Sequence, residues 1–266
     1  MKNDDKLAPS LPKKPAELKR NLSILLFLSI IYASGSFTNF SLSELLGNLG
    51  EAGDLLGRMF LPPDFSYARR LFLPMVETLQ ISFLGTVIGS IFAIPMAVLA
   101  ARNITTNKFL GGVFRMLLNL FRTIPALVFA ALFTSIFGFG SFSGMLALFV
   151  FTLGLVAKLT YEAIEGIDHG PLEALRASGA GHLAAFFYAV VPQVLPQYLS
   201  YVLYSFEINI RASAVLGYVG AGGIAEYYDR TLSYLKYDRA GTIVLLTFVV
   251  ILSIDLISAR LREKLL

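Results

Sequence analysis

Residues 173–192 read EALRASGAGHLAAFFYAVVP, a stretch with no apolar run long enough to cross a bilayer although long apolar runs flank it on both sides. Pro171 stands where a helix can begin, because a first-turn residue has no use for its N–H. Glu173 falls in the first turn, where a carboxylate complements the positive helix end. Gly179, within Ser178-Gly179-Ala180-Gly181, offers a left-handed stop. Leu183, Phe186, Phe187 and Val190 then form a second short helix running into Pro192, which opens the next span. Residues 167–192 are therefore expected to form a knob of two short helices about a glycine hinge, standing clear of the bilayer between two spans.

The surrounding composition fits that placement. The chain has 266 residues, 56% of them hydrophobic and 15% charged, with a mean hydropathy of +0.68. A soluble domain would carry roughly a quarter charged residues, so the class is an all-α polytopic membrane protein. With no cysteine, disulfides, thiol catalysis and cysteine metal sites are excluded. Two histidines, His169 and His182, are too few for a histidine-rich metal site. The net charge of +4 implies no nucleic-acid partner, since the basic residues sit mostly beside apolar runs, where they orient spans.

Along the chain, residues 1–20 are polar and basic and read as a disordered cytoplasmic tail, leaving 21–266 as a single transmembrane domain. Leu22–Phe37 reads as a retained first span. Residues 41–60 repeat leucines at helical spacing between Glu44, Glu51, Asp54 and Arg58, with Ser41 and Glu44 as a capping box, and fit an amphipathic helix on the outer membrane surface. Spans follow at 71–101, 113–136, 144–163, 193–216 and 243–257, giving about six with both termini inside.

The 193–216 span differs from the others. Gln193, Gln197, Ser200, Tyr204, Glu207 and Arg211 recur at intervals of four and three, which stacks them along one face. Facing lipid, Glu207 and Arg211 would each cost roughly 2.5–3.5 kcal/mol. Two readings stay open: the stripe lines a solute path, with Arg211 and Asn209 available to an anion, or Glu207 and Arg211 form an i, i+4 ion pair holding helices together. Lys158 and Glu162 read as a structural pair. Next comes Leu216-Gly217-Tyr218-Val219-Gly220-Ala221-Gly222-Gly223, whose glycines Gly217, Gly220, Gly222 and Gly223 suit close packing or an outer gate. The chain has no Walker A sequence, so an ATP-driven process needs the ATPase on another polypeptide.

The spacing Glu173-Ala174-Leu175, Gly179, Ala189, Val191, Pro192 resembles the cytoplasmic coupling segment of ABC-importer membrane subunits, with Leu175 and Ala189 standing where the consensus has Ala and Ile. Phe206 to Arg211, Val215 to Ile224, Glu77-Thr78-Leu79-Gln80, Arg122-Thr123-Ile124-Pro125 and Asp255 to Arg262 resemble the permease subunit of phosphonate ABC importers over residues 60–266. Ala225 and Gly181-His182 depart from that pattern. The resemblance implies a type I ABC importer permease in a bacterial inner membrane, working as a homodimer with two ATPase subunits and an extracytoplasmic solute-binding protein. ATP and Mg would be held by the ATPase and no cofactor by this chain. Glu173, Ala174, Leu175 and Gly179 would couple to the ATPase, and Gln197, Ser200, Tyr204, Glu207, Asn209 and Arg211 would line the path. Alternatives are a permease for another small solute, a passive channel, or an intramembrane enzyme; Ser143-Gly144 supplies no nucleophile elbow for the last.

Overall fold

A computed structural model describes residues 17–265. Residues 1–16 of the expected tail lie outside the described residues, and Glu17–Arg20, expected to be disordered, instead open a helix. The described residues fall into two compact units, one ending at residue 55 and one from residue 56 onward.

In the first unit, α1 (Glu17–Phe37) is an apolar helix of 21 residues. The 41–60 segment is two helices rather than one, α2 (Leu42–Gly47) and α3 (Leu49–Phe60), with the unit boundary inside α3. Gly47 and Asn48, weak helix formers, separate them. Ser41 caps α2 by accepting from the Glu44 backbone N–H at 3.3 Å.

The second unit is built on α4 (Ala68–Ala100) and α7 (Ser141–Glu165). Their close approach follows from small residues one turn apart: Gly85, Gly89, Ala93 and Ala97. A Cβ on Gly85 would sit 2.7 Å from the Leu148 Cβ, and one on Gly89 2.7 Å from the Thr152 Cβ. At one end of the bundle, Arg239 Nε donates to Asp64 Oδ2 at 3.2 Å, fastening the segment before α4 to the start of α12 (Tyr237–Leu265). Ser66 also donates to Asp64, and these contacts hold the Asp64 carboxyl below its ordinary 3.8, the Ser66 hydrogen bond first among them.

The expected 113–136 span is not one helix. It is α5 (Lys108–Thr123) and α6 (Ala126–Phe137), bent by 91°. Pro125 brings no N–H and pushes Ile124 into extended backbone (φ −86, ψ 123), which ends α5.

After α7 come α8 (Gly170–Ala177) and α9 (His182–Ala185), a π-helical turn at Phe186–Val190, and α10 (Val191–Leu216). The second knob helix is thus not a separate element before Pro192; it runs through the π turn into α10. A short helix, α11 (Ile224–Ser233), precedes α12. Among the described residues, α1, Phe65–Ala100, α7 and α12 are long and apolar enough to cross a membrane, and the bent pair makes five. α10 has the length, at 26 residues, but its polar residues keep it out of that set.

Candidate functional site

The knob is assembled from its own sequence. Asp168 Oδ1 accepts from the Gly170 N–H at 2.9 Å, turning the chain into α8, and Pro171 occupies the first turn. At the far end the Ala180 N–H reaches the Leu175 carbonyl and the Gly179 N–H the Arg176 carbonyl, both at 3.0 Å. This crossed pair is a Schellman motif, and Gly179 takes the left-handed backbone it requires, with φ +85. Leu172 is 3% exposed and belongs to the same buried cluster as Ile164, Ile167, Ala185, Ala189 and Val194, with Leu175 packed against that cluster. Glu173 and Ala174 are left exposed on the opposite side.

One brace ties the knob's first turn to α10, and a second ties together the helices just before the knob. Gln193, expected in the polar stripe, clamps the turn instead: its Oε1 accepts from the Asp168 N–H at 2.9 Å and its Nε2 donates to the Ala189 carbonyl at 2.7 Å. The second brace went unseen in the sequence. Arg115 of α5 donates to the Ala100 carbonyl at 2.7 Å, pairs with Glu165 and lies 4.9 Å over the Tyr161 ring. Glu165 also accepts from the Arg102 N–H at 2.7 Å, so the ends of α4 and α7 meet the middle of α5 just before the knob. The available signal was a Glu at the end of an apolar run, with arginines in the preceding segments. Lys158 and Glu162 pair at 3.4 Å.

Along α10 the polar residues divide. Three residues advance the helix by 300°, so Gln197, Tyr204 and Arg211 form one row and Ser200 and Glu207 another, displaced by about 60°. The first row is exposed and the second buried. Glu207 and Arg211 do not pair with each other, because α12 runs antiparallel alongside and supplies closer partners. Arg211 meets Asp255 at 2.6 Å and Glu207 meets Arg262 at 2.6 Å. The Glu207 side chain is 6% exposed, whereas that of Arg211 is 50% exposed.

Asn209, expected along the path, is wholly buried. Its Nδ2 donates to Thr86 Oγ1 and to Thr152 Oγ1, each at 2.7 Å, so it stitches α10 to α4 and α7. A buried amide is costly unless hydrogen-bonded, and two threonines at facing positions satisfy its Nδ2 donors, while Oδ1 finds no partner among the described residues. Ser200 and Glu207 are likewise buried within this chain.

At the other end of α10, the glycine segment packs inside the chain. Gly222 and Gly223 have φ +79 and +81 and press against Glu77 and Thr78 of α4. Ser141 donates to the same Glu77 carboxylate, and the Gly140 N–H reaches the Gly220 carbonyl at 2.8 Å. Thr78 Oγ1 accepts from the Ile224 N–H at 2.8 Å and so starts α11. A Cβ on Gly217 would collide with Glu226 and Ala225.

The fold is shared with a chain of the MetNI methionine ABC transporter in inward-facing conformation, at TM-score 0.68 and 23% identity over 76% of this chain and 99% of that one. A bacterial ABC transporter for the acidic polysaccharide alginate matches at TM-score 0.62 and 18% identity, over 93% of this chain and 97% of that one. The chain belongs to the family of binding-protein-dependent transport system inner membrane components, whose model matches residues 93–265.

Among its relatives, the phosphite transport system permease protein PtxC of Stutzerimonas stutzeri is 39% identical over 221 residues, covering 83% of this chain and 80% of that one. The putative phosphite transport system permease protein HtxC of the same organism is 33% identical over 264 residues, covering 99% and 93%. The phosphate-import permease protein PhnE of Mycolicibacterium smegmatis is 40% identical over 212 residues, covering 80% of this chain and 40% of that one.

Proposed function

We propose that this chain is the membrane-spanning subunit of an ATP-driven importer that carries a phosphorus oxyanion (phosphonate, phosphite or phosphate) into the cytoplasm. The observation that carries the coupling half of this reading is the knob: Glu173 stands exposed on a short helix whose other side is locked to the bundle by Leu172. The substrate half is supported by the names of the high-coverage relatives and by Arg211, a half-exposed cation on the face of α10.

In this reading two copies of the chain assemble with two ATPase subunits and an extracytoplasmic solute-binding protein. ATP and Mg are held by the ATPase. The knob and both termini are cytoplasmic, as the basic residues beside the spans favour. Closure of the ATPase dimer draws the two Glu173 helices together. Leu172 and Gln193 pass that movement into α10, and the Arg115–Glu165 junction passes it into α4, α5 and α7. The spans rock between inward-open and outward-open states, and solute passes along the row Gln197, Tyr204, Arg211. The glycine segment closes the outer end.

The test is uptake in vesicles holding this chain with its ATPase and binding protein, using labelled phosphonate, phosphite, phosphate and an amino acid. ATP-dependent uptake of one or more phosphorus oxyanions is expected, with none of the amino acid. Amino-acid uptake alone would reassign the substrate, and a leak independent of ATP would make the protein a channel.

A further inference from the structure

Charged pairs at membrane depth usually do one job, yet α10 and α12 share two that differ in setting. In Glu207–Arg262 the carboxylate is buried, with side chains 6% and 26% exposed, and the pair latches the two helices. Arg211–Asp255, one turn along α10, is open, with side chains 50% and 35% exposed. Among the described residues, Asp255 is the one acceptor that the Arg211 guanidinium holds, through a single hydrogen bond at 2.6 Å. An arginine has five N–H donors in a planar fork, so most of this fork remains available to a second anion.

We propose that Asp255 is an intramolecular competitor for the oxyanion: it occupies Arg211 when no solute is present and yields as solute arrives. This rests on the reading of Arg211 as an oxyanion contact. Two physical demands meet in this one carboxylate. An arginine without a counter-ion is costly at membrane depth. An arginine left free would also hold its anion too firmly, whereas transport needs binding that is favourable on entry and weak enough for exit. A carboxylate on a neighbouring helix satisfies both. A dianion carries more charge than the carboxylate and offers several oxygens to the fork, so it displaces Asp255 as it reaches Arg211. Asp255 is half-open and meets water when released. In this role it is a positioning residue acting through Arg211.

The experiment compares uptake of labelled phosphite by vesicles with the full complex, for the native chain, Asp255→Asn, Asp255→Glu and the exchange Arg211→Asp with Asp255→Arg. Removing the competitor is expected to lower apparent KM by roughly two- to fivefold, the weight of a half-exposed ion pair, and to lower the maximal rate because release slows. Asp255→Glu should restore both. The exchange keeps an ion pair, and with it assembly with the partner subunits, but moves the cation to α12; it should lose phosphite uptake. An unchanged KM in Asp255→Asn, or normal uptake by the exchanged protein, would overturn the proposal and leave the pair as a second latch. If Asp255→Asn fails to assemble, the exchanged protein still decides. A native complex that takes up no phosphorus oxyanion would instead refute the functional reading, a different outcome from any of these.

Discussion

Glu173 faces away from the bundle, so its replacement separates force transmission from folding. Glu173→Arg is expected to assemble and unfold at the native temperature while uncoupling ATP hydrolysis from uptake; parallel assays of both activities check this. Gly179 has open space around its missing side chain, so only its backbone angle restricts it. Gly179→Ala should cost about 1–2 kcal/mol, with Asn tolerated better than Val, measured as melting temperature in detergent. Asp64 gives a pH-dependent case. Its carboxyl is held below 3.8, so its stabilising contribution is complete above that value and fades as pH falls through the lowered one. The melting-temperature gap between the native chain and Asp64→Asn should therefore close in acid. At this scale the knob was readable from single residues, because Pro171, Glu173 and Gly179 each have one local reason for their position. The roles of Asn209 and Gln193 were not: their partners lie on other elements or across a turn, and period alone cannot separate rows about 60° apart.

Helices show the same division between local and distant causes. α4 and α7 follow from apolar length, and their intimacy from glycine and alanine one turn apart. Proline is harder to read. Pro74 and Pro95 lie within α4 without ending it, whereas Pro125 stops α5 and turns the chain by 91°. Neighbouring helices can re-satisfy backbone groups freed by a proline, and whether they do depends on contacts that a sequence window does not contain. α8 depends on one anchor. Leu172→Ala should cost roughly 2.7–5 kcal/mol at a buried leucine, loosening the knob. Hydrogen exchange should then show faster exchange in α8 and unchanged protection in α7.

Across the molecule, charge and polarity join elements far apart in sequence. Asn209 ties three helices, Arg115 and Glu165 join the ends of α4 and α7 to the middle of α5, and Glu207–Arg262 fastens α12. Breaking the last should be worse than deleting it. Glu207→Gln leaves a cation without its counter-ion and is expected to cost about 3–5 kcal/mol, while Glu207→Leu with Arg262→Leu should approach the native stability. Thermal denaturation of the single and double variants distinguishes these outcomes. The choice of partners for Glu207 and Arg211 depends on where α12 lies, which is why the span's own spacing could suggest an internal pair that the fold does not make.

The π turn at Phe186–Val190 has a consequence for chain length. Its hydrogen bonds skip five residues instead of four, so it stores one surplus residue between the knob and the long helix. Losing a residue elsewhere in α10 would swing everything beyond it by about 100° and scramble which side chains look outward. Losing one here would merely let the coil relax to its regular repeat, with both flanks keeping their bearing. Natural variants one residue shorter in this region should therefore carry their gap within this turn.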